Sequence, residues 1–175
     1  MKIITRHKDL LTEFKRLVVQ YTQFYWAGLN SDMVAEIKPE EQKIQKAIIG
    51  IQLYKTHPDI IKAFFENKNV RFKHQPEDMI QHRIYLFCNS LEDWEVIISC
   101  SNFTEGPCIP SNEALILISN QQMYMPDLYH KAMQLIEDHW KEAITFNLLK
   151  LEEYGKKWEL QEQQAVIHKK EFFNN

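Results

Sequence analysis

Glycine is scarce in this chain, with four residues in 175. There is no Walker A loop and no Gly-x-Gly-x-x-Gly, so the common backbone cradles for nucleotide phosphates are excluded. Ser99, Cys100 and Ser101 lack the flanking glycines of a Gly-x-Ser-x-Gly nucleophile elbow. Cysteine is sparse and odd in number. Cys88, Cys100 and Cys108 have no metal-ligand spacing and read as reduced, buried thiols. The seven histidines are dispersed, with no His-x-x-x-His pair on a helix, so a zinc site is not expected and no cofactor is implied. No apolar run is long enough to span a membrane. Residues 1–11 carry Lys2, Arg6, Lys8 and Asp9 without an apolar core, so no secretory leader is expected and the cytoplasm is the expected compartment. A basic excess is missing too. The formal charge of −3 argues against an indiscriminate nucleic-acid binder.

What is present reads as one globular domain over residues 1–175, long enough to bury a core. Apolar residues at Leu10, Leu11, Phe14, Leu17 and Val18 have helical spacing and run into Phe24 to Gly28, which by itself is ambiguous between helix and strand. A polar helix is expected from Ser31, its N-cap, through Lys46. Ala47 to Leu53 reads as a buried, Ile-rich strand. Thr56-His57-Pro58-Asp59 is a helix start, with the Thr56 hydroxyl as cap, His57 in the capping loop and the helix ending near Asn67. Val70 to Lys73 alternates like a half-buried strand, and Gln75 to Asp78 reads as a turn. Strands are expected at Gln81–Phe87, Trp94–Cys100 and Ala114–Ser119, with the Phe103–Ser111 loop as a rim, a lid or a simple connection. From Pro126 one helix carries the stripe Leu128, Ala132, Leu135, Ile136, His139, Trp140 and Ala143. After a break at Thr145–Asn147, with Asn147 as cap, a second carries Leu148, Leu151, Tyr154, Trp158, Leu160 and Val166. Its charged stretch Glu152–Lys170 is a solvated face or a partner surface.

The most informative stretch is Gln81 to Glu113. It contains Arg83-Ile84-Tyr85-Leu86-Phe87, then Ser101-Asn102-Phe103-Thr104, then Asn112-Glu113-Ala114, preceded earlier by Phe24-Tyr25-Trp26-Ala27 and Ile49-Gly50-Ile51. These pieces, in this order, resemble the phospholipase D-like superfamily, most closely its small bacterial nuclease-like branch, over about residues 17–153. The resemblance implies an α/β fold, a phospholipase D-like mixed β-sheet sandwiched by helices with C-terminal helices. The sheet core would occupy residues 17–125 and the helical part 126–170.

The family pattern has His-x-Lys entering Ile-Tyr-x-Phe, an acidic residue soon after, Gly-Ser-x-Asn-Phe-Thr, and a Glu before the last strand. Members cut phosphodiesters through a phosphohistidine, without metal. A second His acts as general acid, and Lys and Asn hold the phosphoryl oxygens. A single motif per chain implies a homodimer with the site at its twofold interface. Here Gln81 stands at the His position, Arg83 at the Lys position, Cys88 at the acidic position and Ser99 at the Gly, while Ser101, Asn102 and Glu113 match. Gln cannot form a phosphohistidine, whereas Arg can still hold phosphate. The expected site is therefore Gln81, His82, Arg83, Asn102 and Glu113, with Arg83, Ser101 and Asn102 on phosphate.

His82 should face away from Arg83 and Tyr85 along the strand. A bulge at Ile80–Gln81 would re-aim it into the nucleophile position; otherwise it is a strand-edge histidine. Arg71, Lys73 and His74 are expected to gather with His82 and Arg83 as a local basic face. Three functions stay open. The first is a catalytically impaired, homodimeric binder of DNA or RNA. The second is an active, metal-independent phosphodiesterase that uses His82. The third is a regulatory module with a protein partner. Phospholipid hydrolysis ranks below all three, because no Lys- and Arg-rich amphipathic helix suits a membrane surface.

Overall fold

The computed structural model describes residues 1–28, 31–51, 54, 56–73, 83–99, 115–121 and 125–173. Among the described residues, seven strands and five α-helices build a mixed α/β domain. The strands are β1 (Lys2–Ile4), β2 (Gln23–Ala27), β3 (Ile44–Gly50), β4 (Val70–Lys73), β5 (Arg83–Ser90), β6 (Asp93–Ser99) and β7 (Leu115–Ser119). They form one sheet in the order β1-β7-β6-β5-β2-β3-β4. β2, β3 and β4 are parallel, and every other pairing is antiparallel.

The helices divide between the sheet faces as the strand alternation dictates. On β5, Tyr85 and Phe87 enter one core while Ile84, Leu86 and Cys88 enter the other. The first face receives α1 (His7–Gln20), α2 (Ser31–Ile37), α3 (Pro58–Phe64) and the start of α5 (Leu148–Phe173). Phe14 of α1 meets Tyr85 and Phe87 edge-on, with centroids 5.6 and 5.4 Å away. Each such fully buried side chain contributes about 1.5–3 kcal/mol of apolar burial. The second face is covered by α4 (Pro126–Glu142) through Ala132 and Ile136, with Leu128, Tyr129, Met133 and Trp140 around them. The α/β class expected from alternating helices and strands followed by strands in succession is the class observed.

Several boundaries moved. β1 was not anticipated: three residues with a charged neighbourhood carry no periodicity, and the strand exists by pairing with β7 across the chain. The polar helix expected through Lys46 stops at Ile37. A 3₁₀ turn over Lys38–Lys43 follows, with Pro39 at its start, and Ile44 to Lys46 already belong to β3. Ile44 is fully buried, so tertiary pairing overrides the helical pattern. α3 is capped by His57, not Thr56. The His57 ring accepts from the Asp59 N–H at 3.2 Å, while the Thr56 hydroxyl donates to the Gly50 carbonyl at 2.6 Å. Asn147 caps α5 as expected, accepting from the Lys150 N–H at 2.9 Å. Leu135, Leu148 and Leu160, expected on buried stripes, are 42%, 65% and 59% exposed. Cys88 is a buried free thiol, and burial pushes its pKa up. Cys100, Cys108, the Gln75–Asp78 turn and the Phe103–Ser111 loop lie outside the described residues.

Candidate functional site

Strand direction gathers the ends of six strands at one end of the sheet. The parallel strands β2, β3 and β4 finish there at Ala27, Gly50 and Lys73. β5 runs against β2, so Arg83 starts at that end, and β6 finishes beside it at Ser99, its Cα partner. β7 begins there at Leu115. The chain leaves β2 at Gly28, whose φ of 84° suits a residue without Cβ. The Gly28 carbonyl accepts from the Tyr85 hydroxyl at 3.0 Å, which ties the β2 exit to the β5 entry.

Arg83 is the one expected site residue among the described residues. Alternation puts it on the face of Tyr85 and Phe87, and it is partly exposed. Its cross-strand partner Ser99 is 2% exposed. Gln81, His82, Ser101, Asn102 and Glu113 lie outside the described residues. They adjoin Arg83, Ser99 and Leu115 along the chain, by one to three residues.

The expected basic face is overturned where it can be followed. Arg71 and Lys73 alternate with Phe72, which is in the first core, so they point to the opposite face from Arg83. There α4 engages them. The Arg71 guanidinium lies 4.3 Å from the Trp140 ring centroid and donates to the Trp140 carbonyl at 3.0 Å. Lys73, only 4% exposed, donates to Glu142 at 2.6 Å and sits 3.0 Å from Nδ1 of His139. The Lys73 hydrogen bond holds the Glu142 carboxyl below its usual range. The sequence located these cations on one short strand, but its period of two sent them to the face where α4 waits. His74 lies outside the described residues.

A second polar cluster, unforeseen from the sequence, lies away from this end on the first face. Arg16 of α1 grips Glu95 of β6 with two nitrogens, at 2.9 and 2.8 Å, and the Tyr21 hydroxyl donates to the same carboxylate at 3.1 Å. The hydrogen bond to Glu95 raises the Arg16 pKa further above its usual value. Burial, helped by Glu95, pushes the Tyr21 phenol up. A carboxylate bound on both oxygens is held as a structural pin. Among the described residues, no group of three His, Cys, Asp or Glu side chains could hold a metal ion. Among them, no helix is long and apolar enough to cross a membrane.

No model of a known family matches this chain, and no curated protein matches it either.

Proposed function

We propose that the chain is a catalytically impaired, phospholipase D-like phosphodiester-binding domain, homodimeric, with Arg83 as the cation that holds the phosphate of a DNA or RNA strand. The observation that supports this is the convergence of β5, β6 and β7 at one sheet end. Arg83 lies beside Ser99, with Leu115 at the same sheet end one strand further on, and the chain continues from these residues toward Gln81, His82, Ser101, Asn102 and Glu113. Gln81 at the nucleophile position removes the covalent step and leaves binding. An arginine at a sheet end donates bidentately to phosphate without any metal.

The test is binding and cleavage of single- and double-stranded DNA and RNA in EDTA. Affinity should fall as salt rises from about 50 to 200 mM, and Arg83→Ala should weaken all sequences alike and flatten the salt slope by about one unit. Absence of binding at low salt sinks this reading. Metal-free cleavage that His82→Ala abolishes would replace it with a live phosphodiesterase that uses His82. A regulatory protein-interaction role is favoured by α5, which exposes Leu148, Leu149 and Leu160. A pulldown with the full chain that returns one fixed protein partner, without nucleic-acid affinity, would establish that role.

A further inference from the structure

The end of α4 and the chain just after it are tied to β4 by polar contacts. The Arg71 guanidinium donates to the Trp140 carbonyl at 3.0 Å, and Phe72 and Ile144 exchange backbone bonds of 2.8 Å. Beside them lies a side-chain cluster. The Lys73 ammonium donates to Glu142 at 2.6 Å and lies 3.0 Å from Nδ1 of His139. Lys73 is 4% exposed, so neither partner is readily exchanged for water.

Protonation states follow from the donors and acceptors. An ammonium has hydrogens to give and no lone pair, so the ring nitrogen 3.0 Å away accepts from it. His139 is therefore neutral in this arrangement, with its proton on Nε2. A proton on Nδ1 would set two like charges face to face at that distance. The other charges around the ring, among the described residues, are constant through the histidine range. Glu142 is held ionised by Lys73, which keeps its carboxyl below the usual range. Arg71 lies over the Trp140 ring. Asp138 pairs with Lys141, and Glu137 with Lys46 of β3. Lys73 repels an imidazolium and Glu142 attracts one. Burial decides between them: the Lys73 side chain is 4% exposed and the Glu142 side chain 54%, so water screens the attraction more than the repulsion.

We propose that Lys73, His139 and Glu142 form a pH-sensitive latch between β4 and α4, closed while His139 is neutral and opened when it takes up a proton. On protonation the half-buried ring turns toward solvent, where the C-terminal end of α4 still favours a cation. The latch sits at the sheet end where β2, β3 and β4 finish, and it does not depend on the phosphodiester-binding reading. A charged ring disfavoured in the fold means that the unfolded chain binds more protons as pH falls. The latch thus contributes stability above about pH 6.5, the ordinary histidine value, and loses it as pH drops below.

The experiment is a set of urea midpoints on the full chain from about pH 8 to about pH 5, for the parent and His139→Asn, each with and without Lys73→Met. Asn puts an amide oxygen where Nδ1 stands and accepts at every pH. The parent's midpoint should fall over this range. The difference between parent and His139→Asn, in which the other histidines cancel, should follow one titration at or below about pH 6.5. In the Lys73→Met background, His139→Asn should no longer protect against acid. Amide exchange gives the local readout. At about pH 5.5 the Ile144 N–H of the parent should exchange about tenfold faster relative to the Leu86 N–H of β5 than at about pH 7.5, and that of His139→Asn should not. Parallel midpoint curves for parent and His139→Asn overturn the latch, as does equal acid protection by His139→Asn with and without Lys73. If His139→Asn fails to fold, an NMR titration of the parent decides. A His139 ring that titrates below the ordinary histidine value supports the latch, and one that titrates above it overturns the latch.

Discussion

Glu95 sits 7% exposed in the middle of β6 and is gripped by Arg16 and Tyr21. Glu95→Ala should cost about 2–3 kcal/mol in urea denaturation, since it strands the buried Tyr21 hydroxyl and half-releases Arg16. Arg16→Ala with Glu95→Ala should be far from additive; purely additive losses would show that the pair carries no coupling. Glu13, beside this cluster, is drawn up by burial but pulled further down by hydrogen bonds from Lys2 and Arg16, for a net pKa below 4.5. A depressed carboxylate contributes stability above its unfolded pKa and loses it as pH falls through the folded value. Lys2→Met should therefore lower stability at neutral pH and make the decline below about pH 4.5 shallower, as read by urea midpoints across that range. Gly155, inside α5, has open space where a Cβ would go. Gly155→Ala should stabilise by about 0.5–1 kcal/mol through helix propensity alone, measured by thermal melting.

At the scale of elements, β4 is a strand of four residues that survives because two other elements hold it. Its free edge is bridged by Ile144, with Phe72 and Ile144 exchanging N–H···O bonds of 2.8 Å. Its far face is clamped to α4 by Lys73, Glu142 and His139. A buried lysine is a weak source of stability, because desolvation opposes the pair. Lys73→Met should leave stability within about 1 kcal/mol of the parent, whereas Glu142→Ala should lower the melting temperature by leaving the ammonium with His139. Equal losses in the two variants would mean that the lysine stem's packing matters more than the charge. α5 behaves differently. Its 26 residues reach about 39 Å, and Leu151, Tyr154 and Trp158, in its first three turns, join the core, with Trp158 edge-on to the His57 ring at 4.6 Å.

At the scale of the molecule, the sheet separates two cores, and the larger one is assembled from residues as distant in sequence as Ile4 and Tyr154. Element type was legible where the pattern is local. Leu10, Phe14 and Leu17 recur with helical period, Tyr85 and Phe87 alternate with Ile84 and Leu86, and Pro58 and Pro126 mark helix starts. Legibility failed where a partner decides: β1 exists only against β7, and Ile44 to Lys46 are strand because β2 lies beside them. Of the candidate site, the sequence named Arg83 and its strand. The charge neighbourhood around it could not be read off, since one step along a strand reverses the face and sends Arg71 and Lys73 to α4.

By itself, then, the sequence determined local facts: the helical period of Leu10, Phe14 and Leu17, the strand alternation from Ile84 to Phe87, and the helix starts at Pro58 and Pro126. Period and capping are short-range, so they need no partner. Only the tertiary structure decided the strand order, the gathering of Arg83, Ser99 and Leu115 at one sheet end, and the burial of Lys73. Those depend on contacts between residues as far apart as Lys2 and Leu117, and such contacts are chosen by the closure of the whole core and not by any window of the chain.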